Sequence, residues 1–305
     1  MTEIPFRSAP ISNKKIGKKT VASFDIVDGN IDQETVESFG DEWLKFNAFS
    51  EADIQGAGDQ YFDIVSPKML NKESTVLDLG CGSGRWTKYI APRAGFIEAV
   101  DPSDAVFQAA HVWNDLENVR FTQASVDSLP FPDRSFDFVM SLGVLHHIPD
   151  TAQAIKTALK KLKPNGYALI YLYYALDNRG FLFKIIFRLS GLFRTVVSKM
   201  PKSLKHLICD LLAVFIYLPF IYVGKLTKAL IPGNAYLKVP LAYYRNKSWN
   251  IIRNDALDRF GTPLEQRFKR HEIEEMLKSA NMKNIIFSEG EPYWHVVAQK
   301  KAIDA

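Results

Sequence analysis

The stretch 76–86, VLDLGCGSGRW, sets three glycines, Gly80, Gly82 and Gly84, at alternate positions behind a short apolar run. Such glycines allow a bound group to lie directly against the backbone. A phosphate-cradling P-loop would need a Lys-Ser/Thr pair after its last glycine, where this chain has Arg85-Trp86. The dinucleotide fingerprint G-x-G-x-x-G fits the first two glycines, but the third falls one residue early. Asp78 lies two residues before Gly80, and a carboxylate there opposes a phosphate and favours a cation. A second acid, Asp101, closes the next apolar run, where Asp or Glu accepts hydrogen bonds from ribose hydroxyls. The implied ligand has a ribose and a cationic amino-acid part, and no phosphate. Cys81 reads as a small loop residue, because nothing nearby would activate its thiolate. His146-His147 are adjacent on one loop and have no companion His/Cys spacing, so no metal site is expected.

These residues need a scaffold, and 75–174 supplies an alternating one. Strands are expected at TVLDLG, FIEAVD, VRFTQA, SFDFVMSL and YALIYLYY. Helices are expected at GRWTKYIAPR, at SDAVFQAAHVWNDL with Ser103 as N-cap, and at DTAQAIKTALKKL capped by Asp150 or Thr151. Strands separated by helices give a doubly wound, mostly parallel α/β sheet. Apolar spacings of three and four across 30–70 predict helices. A helix at KRHEIEEMLKSAN, with Asn281 left-handed after it, precedes two final strands, NIIFSEG and YWHVVAQK.

VLDLGCGSG, EAVDPS, ASVDSLPFPDRSFDFVMSLGVLHHIPD and LKPNGYALIYLYY, in this order, resemble the successive motifs of class I S-adenosylmethionine-dependent methyltransferases. The chain is most similar to the type-11 group, which includes quinone-biosynthesis methyltransferases. The resemblance implies a seven-stranded Rossmann-like sheet and S-adenosylmethionine as cofactor. It implies that Asp78, Gly80, Cys81, Gly82 and Gly84 hold the methionine part, and that Asp101, with Pro102 beside it, binds the ribose. Ser125, Val126 and Asp127 would line the adenine. Family members often carry an acid at the position of Ser125, so Asp127 or backbone groups take that contact here. Ser141 and Leu142 would lie near the methyl group.

A sulfonium methyl needs alignment and exclusion of water more than it needs activation. A general base is required only for an acceptor that must lose a proton. Candidates near the sheet edge are His146, His147, Asp150, Tyr173, Tyr174 and Asp177, and histidine has the most suitable pKa near neutrality. His271 is expected to be exposed, and His295 to be packed in the core. The sequence 141–147, SLGVLHH, lacks the Asn/Asp-Pro-Pro-aromatic motif of enzymes that methylate amino groups of nucleic-acid bases, so no nucleic-acid partner is expected.

Of 305 residues, 47% are hydrophobic and 24% charged, an ordinary globular balance. Two cysteines and an N-terminus without an apolar stretch point to a cytoplasmic, reducing setting. The lysine run 14–19 reads as a solvated arm. The net charge of +4 conceals an asymmetry: 179–238 holds ten Lys/Arg against Asp210 alone, so the remainder is acidic. FLFKIIFRLSGLFRTVVSK puts Lys184, Arg188, Gly191, Thr195, Ser198 and Lys202 on one helical stripe, a cationic amphipathic pattern. LLAVFIYLPFIYV, 211–223, is too short for a bilayer span of about 20 residues, and Asp210 and Pro219 argue further against one. The expected organisation is an N-terminal arm and helical cap at 1–70, a cofactor-binding core at 71–175 and 262–302, and a helical insertion at 176–261. The insertion is expected to be a lid for the acceptor or a docking element for an anionic membrane through 181–231. Within it Arg245, Trp249, Arg253, Asp255 and Asp258 could orient a polar substrate. The reaction expected is methyl transfer to a small-molecule acceptor, preferably at oxygen, with an acceptor that is lipid-linked, glycosylated or anionic. A cofactor-binding adaptor without turnover and a nicotinamide oxidoreductase are the competing readings.

Overall fold

The computed structural model describes residues 3–26, 29–46, 49–177 and 180–302, without the side chains of 182–184, 186 and 238. In chain order the elements are β1 (Ser12–Ile16), β2 (Lys19–Ser23), α1 (Gln33–Lys45), α2 (Glu51–Tyr61), β3 (Thr75–Leu79), α3 (Arg85–Ile90), β4 (Phe96–Asp101), α4 (Ala105–Val112), β5 (Val119–Gln123), β6 (Phe136–Leu142), α5 (Thr151–Lys160), β7 (Leu162–Tyr171), α6 (Phe181–Val197), α7 (Lys202–Leu212), α8 (Leu218–Leu230), α9 (Trp249–Gly261), α10 (Arg270–Ser279), β8 (Met282–Phe287) and β9 (His295–Lys300). Contacts divide the chain into one unit of Met1–Asn178 with Leu264–Ala305, and a second of Arg179–Pro263.

In the first unit the sheet order is β1-β2-β5-β4-β3-β6-β7-β9-β8. Strands β5-β4-β3-β6-β7 are parallel, and β9 and β8 return antiparallel. The seven strands β3 to β9 are the sheet expected from the sequence, and β1–β2 widen it to nine. The lysine run, read as a solvated arm, is instead a hairpin. Gly17 takes the positive φ (+57°) that its two-residue turn demands. Val21 and Ala22 are buried, and β2 pairs in parallel with β5 through Ala22 and Ser23. Lys19 donates to the carbonyls of Leu116 and Val119, so it closes the hairpin onto the loop before β5.

The parallel strands are buried on both faces, which is why they read as continuous apolar runs. One face packs Leu77, Val139, Ile155, Leu159 and Leu277, the other Val76, Ile97, Ile90, Val106 and Phe138. Each such side chain contributes on the order of 1.5–3 kcal/mol by burial. Asp150 caps α5, accepting from Gln153 N at 2.9 Å. Before α4, Asp104 holds the N-cap position without a side-chain bond, while the hydroxyl of Ser103, the expected cap, accepts from Ala105 N at 3.3 Å and donates to Asp101 at 2.6 Å.

Glu98 is fully buried in β4 beside Arg120 of β5, whose guanidinium also meets Glu3 (2.8 Å), the carbonyl of Ile4 and the Phe6 ring (4.1 Å). Burial outweighs the Arg120 charge and lifts the Glu98 carboxyl from 4.5 to about 8. The folded chain thus keeps a proton that the unfolded chain releases, and stability falls as pH rises from 4.5 towards 8. Glu98→Gln is expected to flatten that fall by on the order of 1–3 kcal/mol, read as urea midpoints at mildly acidic and mildly alkaline pH.

In the second unit α6 and α7 pack on α9. The proposed basic stripe is interrupted: α6 ends at Val197 and Lys202 opens a separate helix after Pro201. Lys184 belongs to that stripe but lies outside the described side chains. Pro219 does not stop the second helix. A π-helical turn at Ala213–Tyr217 absorbs the missing N–H, and α7 runs into α8 as one helix. Lys202–Leu230 is long and apolar enough to cross a membrane by length and composition, with 28% of its most apolar window buried.

Candidate active site

The chain winds from β3 outward to β5, then returns to β6 on the other side of β3, and ligands bind at such a switch point beyond the carboxyl ends of the strands. There the glycine loop turns: Gly80, Gly82 and Gly84 have φ of +79°, +51° and +75°. The loop glycines also serve the protein's own packing. A Cβ on Gly80 would lie 2.4 Å from Val144, one on Gly82 2.7 Å from Trp43, and one on Gly84 2.6 Å from Trp113. Gly80 and Cys81 donate to the carbonyl of Val100, which locks the loop to the end of β4.

Two carboxylates are buried in this cradle. Asp78 accepts from the Thr87 hydroxyl at 2.5 Å, and burial, with Asp101 nearby, pushes its pKa up to about 7. Asp101 accepts from Gly82 N (2.8 Å), Ser103 N (2.9 Å) and the Ser103 hydroxyl (2.6 Å), and burial raises its pKa too. A carboxylate offers about four acceptor positions, so Asp101 retains capacity for a ligand hydroxyl. Ser83 Oγ is buried on the same loop without a hydrogen-bond partner among the described residues. Two adjoining buried acids, an unsatisfied hydroxyl and no loop lysine fit a cationic ligand with a diol and repel a phosphate. Burial, Asp101 and Asp78 all raise the Cys81 thiol, which keeps it protonated and unreactive.

The other residues singled out in the sequence are placed as follows. Pro102 follows Asp101 and is half-buried, and Ser125 and Val126 are buried after β5. Ser125 bonds Ser128 at 3.0 Å, and Asp127 accepts from Asn30 N at 3.1 Å. Asn30 also exchanges two hydrogen bonds with the backbone of Asp150, so the segment before α1 ties the loops after β5 and β6 together. Ser141 and Leu142 end β6, with the Ser141 hydroxyl on the carbonyl of Leu79 at 2.9 Å. His146 and His147 form a buried 3-10 turn. His146 stacks on Tyr173 with centroids 3.9 Å apart, and neither of its ring nitrogens has a hydrogen-bond partner among the described residues. Burial, reinforced by His147 and Arg267, holds its pKa well below 6.5, so the ring is neutral. His147 Nδ1 lies 2.6 Å from the carbonyl of Leu264. Tyr174 packs on Tyr293 and Trp294. Asp177 accepts from Trp294 Nε1 (3.0 Å) and Arg270 N (3.2 Å), a tether for the last strand. Arg245, Trp249 and Arg253 belong to the second unit. Arg253, expected to face substrate, is bidentate on Asp210 at 2.9 and 2.7 Å. Arg245 lies over the Tyr236 ring, and Trp249 opens α9 partly exposed. Asp255 accepts from Tyr217 and Tyr244. Among the described residues no group of three His, Cys, Asp or Glu converges on a metal position.

Two features escaped the sequence reading. Helix α1 roofs the cradle: Phe39 lies 4.7 Å from His147, a Cβ on Gly40 would touch Ser103, and Trp43 covers Gly82. His295 is more than core packing, because its nitrogens face the carbonyl of Pro292 and Asp63 Oδ1, each at 2.7 Å. Aromatic residues at helical spacing signalled the roof, but nothing local shows what they cover.

Residues 77–170 match the family model described as "Methyltransferase domain", of type 11. An uncharacterised methyltransferase, YcgJ, of Bacillus subtilis is 34% identical over 133 residues, 43% of this chain and 53% of that protein. A ubiquinone biosynthesis O-methyltransferase of Coxiella burnetii is 25% identical over 157 residues, 50% of this chain and 65% of that protein. These matches span about half to two-thirds of the relatives' length. Human N-acetylserotonin methyltransferase, solved in complex with S-adenosylmethionine, aligns over 88% of this chain and 58% of its own, at TM-score 0.50 and 16% identity, a likeness of fold. The first unit carries a class I methyltransferase domain of the Rossmann-like type. The stretch 77–170 matches the type-11 methyltransferase domain, a group whose cofactor is S-adenosylmethionine.

Proposed function

We propose that this protein transfers a methyl group from S-adenosylmethionine to an oxygen atom of a small-molecule acceptor. The observation that carries this reading is the pair of buried carboxylates, Asp78 and Asp101, around a left-handed glycine loop without a lysine. When bound, the cofactor supplies a methyl group on a positively charged sulfur, already activated for in-line displacement. The chain's part is to bind, align and keep water out. Asp78 and the backbone of Gly80, Cys81, Gly82 and Gly84 hold the amino-acid end, and Asp101, flanked by Pro102, holds the ribose. Ser125, Val126 and Asp127 line the base, and Ser141 and Leu142 border the reacting centre. His146 and His147, with Tyr173 and Tyr174, form the acceptor side. A histidine kept neutral by burial is already in the form that takes a proton from a hydroxyl. The O-methyltransferase among the relatives supports oxygen as the acceptor atom.

Asp78 must be ionised to meet an ammonium group. Its pKa of about 7 makes cofactor affinity rise with pH through neutrality, by up to about tenfold per unit below that value. Calorimetry with S-adenosylhomocysteine in buffers of differing ionisation heat should show proton release near pH 7, and Asp78→Asn should abolish it. The activity itself is tested with methyl-labelled S-adenosylmethionine and a panel of phenols, carboxylic acids and lipophilic alcohols. Labelled methyl ether or ester is the expected product. Product binding without any labelled acceptor would favour the adaptor reading, and label on nitrogen or carbon would overturn the oxygen assignment.

A further inference from the structure

The second unit carries a surface that methyl transfer does not explain. Among the described residues, every exposed large apolar side chain except Ile11, Leu44 and Ile286 lies in it. Along Lys202–Leu230 one row, Lys205, Cys209, Ala213, Tyr217, Ile221 and Gly224, is buried. The opposite side is also apolar: Leu204, Leu207, Leu211, Phe215, Tyr222 and Leu226 are 44–69% exposed. A helix apolar on both sides calls for cover on both. Charge indicates the cover. The stretch 179–238 has ten basic residues against Asp210 alone, and Arg253 engages that acid. Lys202 opens the helix and Lys225 and Lys228 stand in its last turns, all exposed.

We propose that the outer side of Lys202–Leu230 docks in the plane of an anionic membrane surface. Exposed lysines at both ends of an apolar row suit phospholipid headgroups flanking an acyl boundary. Crossing the bilayer is disfavoured by what the inner side holds. Asp210 pairs with Arg253, Tyr217 bonds Asp255 at 2.6 Å, and Arg259 stands 3.5 Å from Asp255. A spanning helix would draw these groups into hydrocarbon, whereas one lying in the interface immerses its outer row alone. The inference is independent of the methyl-transfer reading, and product binding in the first unit reports on the fold of that unit separately.

The test is flotation of the full chain with vesicles of phosphatidylcholine, alone or mixed with phosphatidylglycerol, at low and raised salt. The wild type is expected to float with the mixed vesicles, less with the neutral ones, and to be released by alkaline carbonate. Leu207→Glu with Phe215→Glu should lower the partition coefficient at least tenfold. Lys225→Glu with Lys228→Glu should lower it several-fold at low salt and little at high salt. Both variants should keep wild-type S-adenosylhomocysteine binding. If the glutamate pair loses helical circular dichroism, the lysine pair decides alone. Equal recovery of wild type with and without vesicles would overturn the proposal, as would partition unchanged in the variants. Retention after carbonate would indicate spanning, and a dimer dispersed by the glutamates without vesicle binding would indicate a second copy on this face.

Discussion

Asp101→Asn is expected to weaken S-adenosylhomocysteine binding about a hundredfold. The carboxylate is buried and already accepts three hydrogen bonds, two from Ser103 and one from Gly82 N. An amide keeps the shape but presents a donor to at least one of these N–H groups, and its oxygen no longer carries charge. Hydrogen bonds to a charged group contribute roughly 1.5–3 kcal/mol each, so loss of the ribose contact and loosening of Gly82 together give about two decades in Kd. Folding should change less, because burial that holds the Asp101 pKa up is a cost that the neutral amide avoids. Calorimetry on both proteins decides. Equal affinity would remove Asp101 from the ribose site while leaving the fold assignment intact.

Gly80→Ala is expected to be the most damaging conservative change in the loop. At φ +79° any side chain is strained by about 1–3 kcal/mol. The added methyl would stand 2.4 and 2.5 Å from the two Val144 methyl carbons, an overlap that costs a further 1–3 kcal/mol or so. The sum, on the order of 2–5 kcal/mol, is a large part of a typical folding free energy of about 5–15 kcal/mol. Val144 leads directly into the 3-10 turn of His146 and His147, so the same displacement is expected to disturb the proposed acceptor side. In urea denaturation the Gly80→Ala, Val144→Ala double variant should recover the packing share and retain the dihedral share. A loss under about 1 kcal/mol in the single variant would show that the loop does not pack on Val144.

Much of the core was legible because its elements are local. The strands from Thr75 to Tyr171 are apolar runs closed by turn residues, the α5 cap is a single Asp150, and Asn281 takes the left-handed position (φ +65°) read for it. What escaped depends on partners distant in sequence. Nothing in SNKKIGKKTVAS shows that β2 will find β5 about a hundred residues on. The π-helical turn that carries the helix on through Pro219 is local, but it leaves no mark in composition. Arg253 looks free to meet a substrate until Asp210, 43 residues away, is brought beside it. The cradle's acids could be read from spacing, but the roof of Phe39 and Trp43 could not, since any amphipathic helix buries its aromatics somewhere.

The central claim is that the glycine loop and its two acids hold a phosphate-free, cationic adenosyl cofactor. Calorimetry of the wild-type chain with S-adenosylhomocysteine, beside a reduced nicotinamide dinucleotide, tests it directly. Saturable binding of S-adenosylhomocysteine and none of the dinucleotide is predicted. Dinucleotide binding without S-adenosylhomocysteine binding would contradict it.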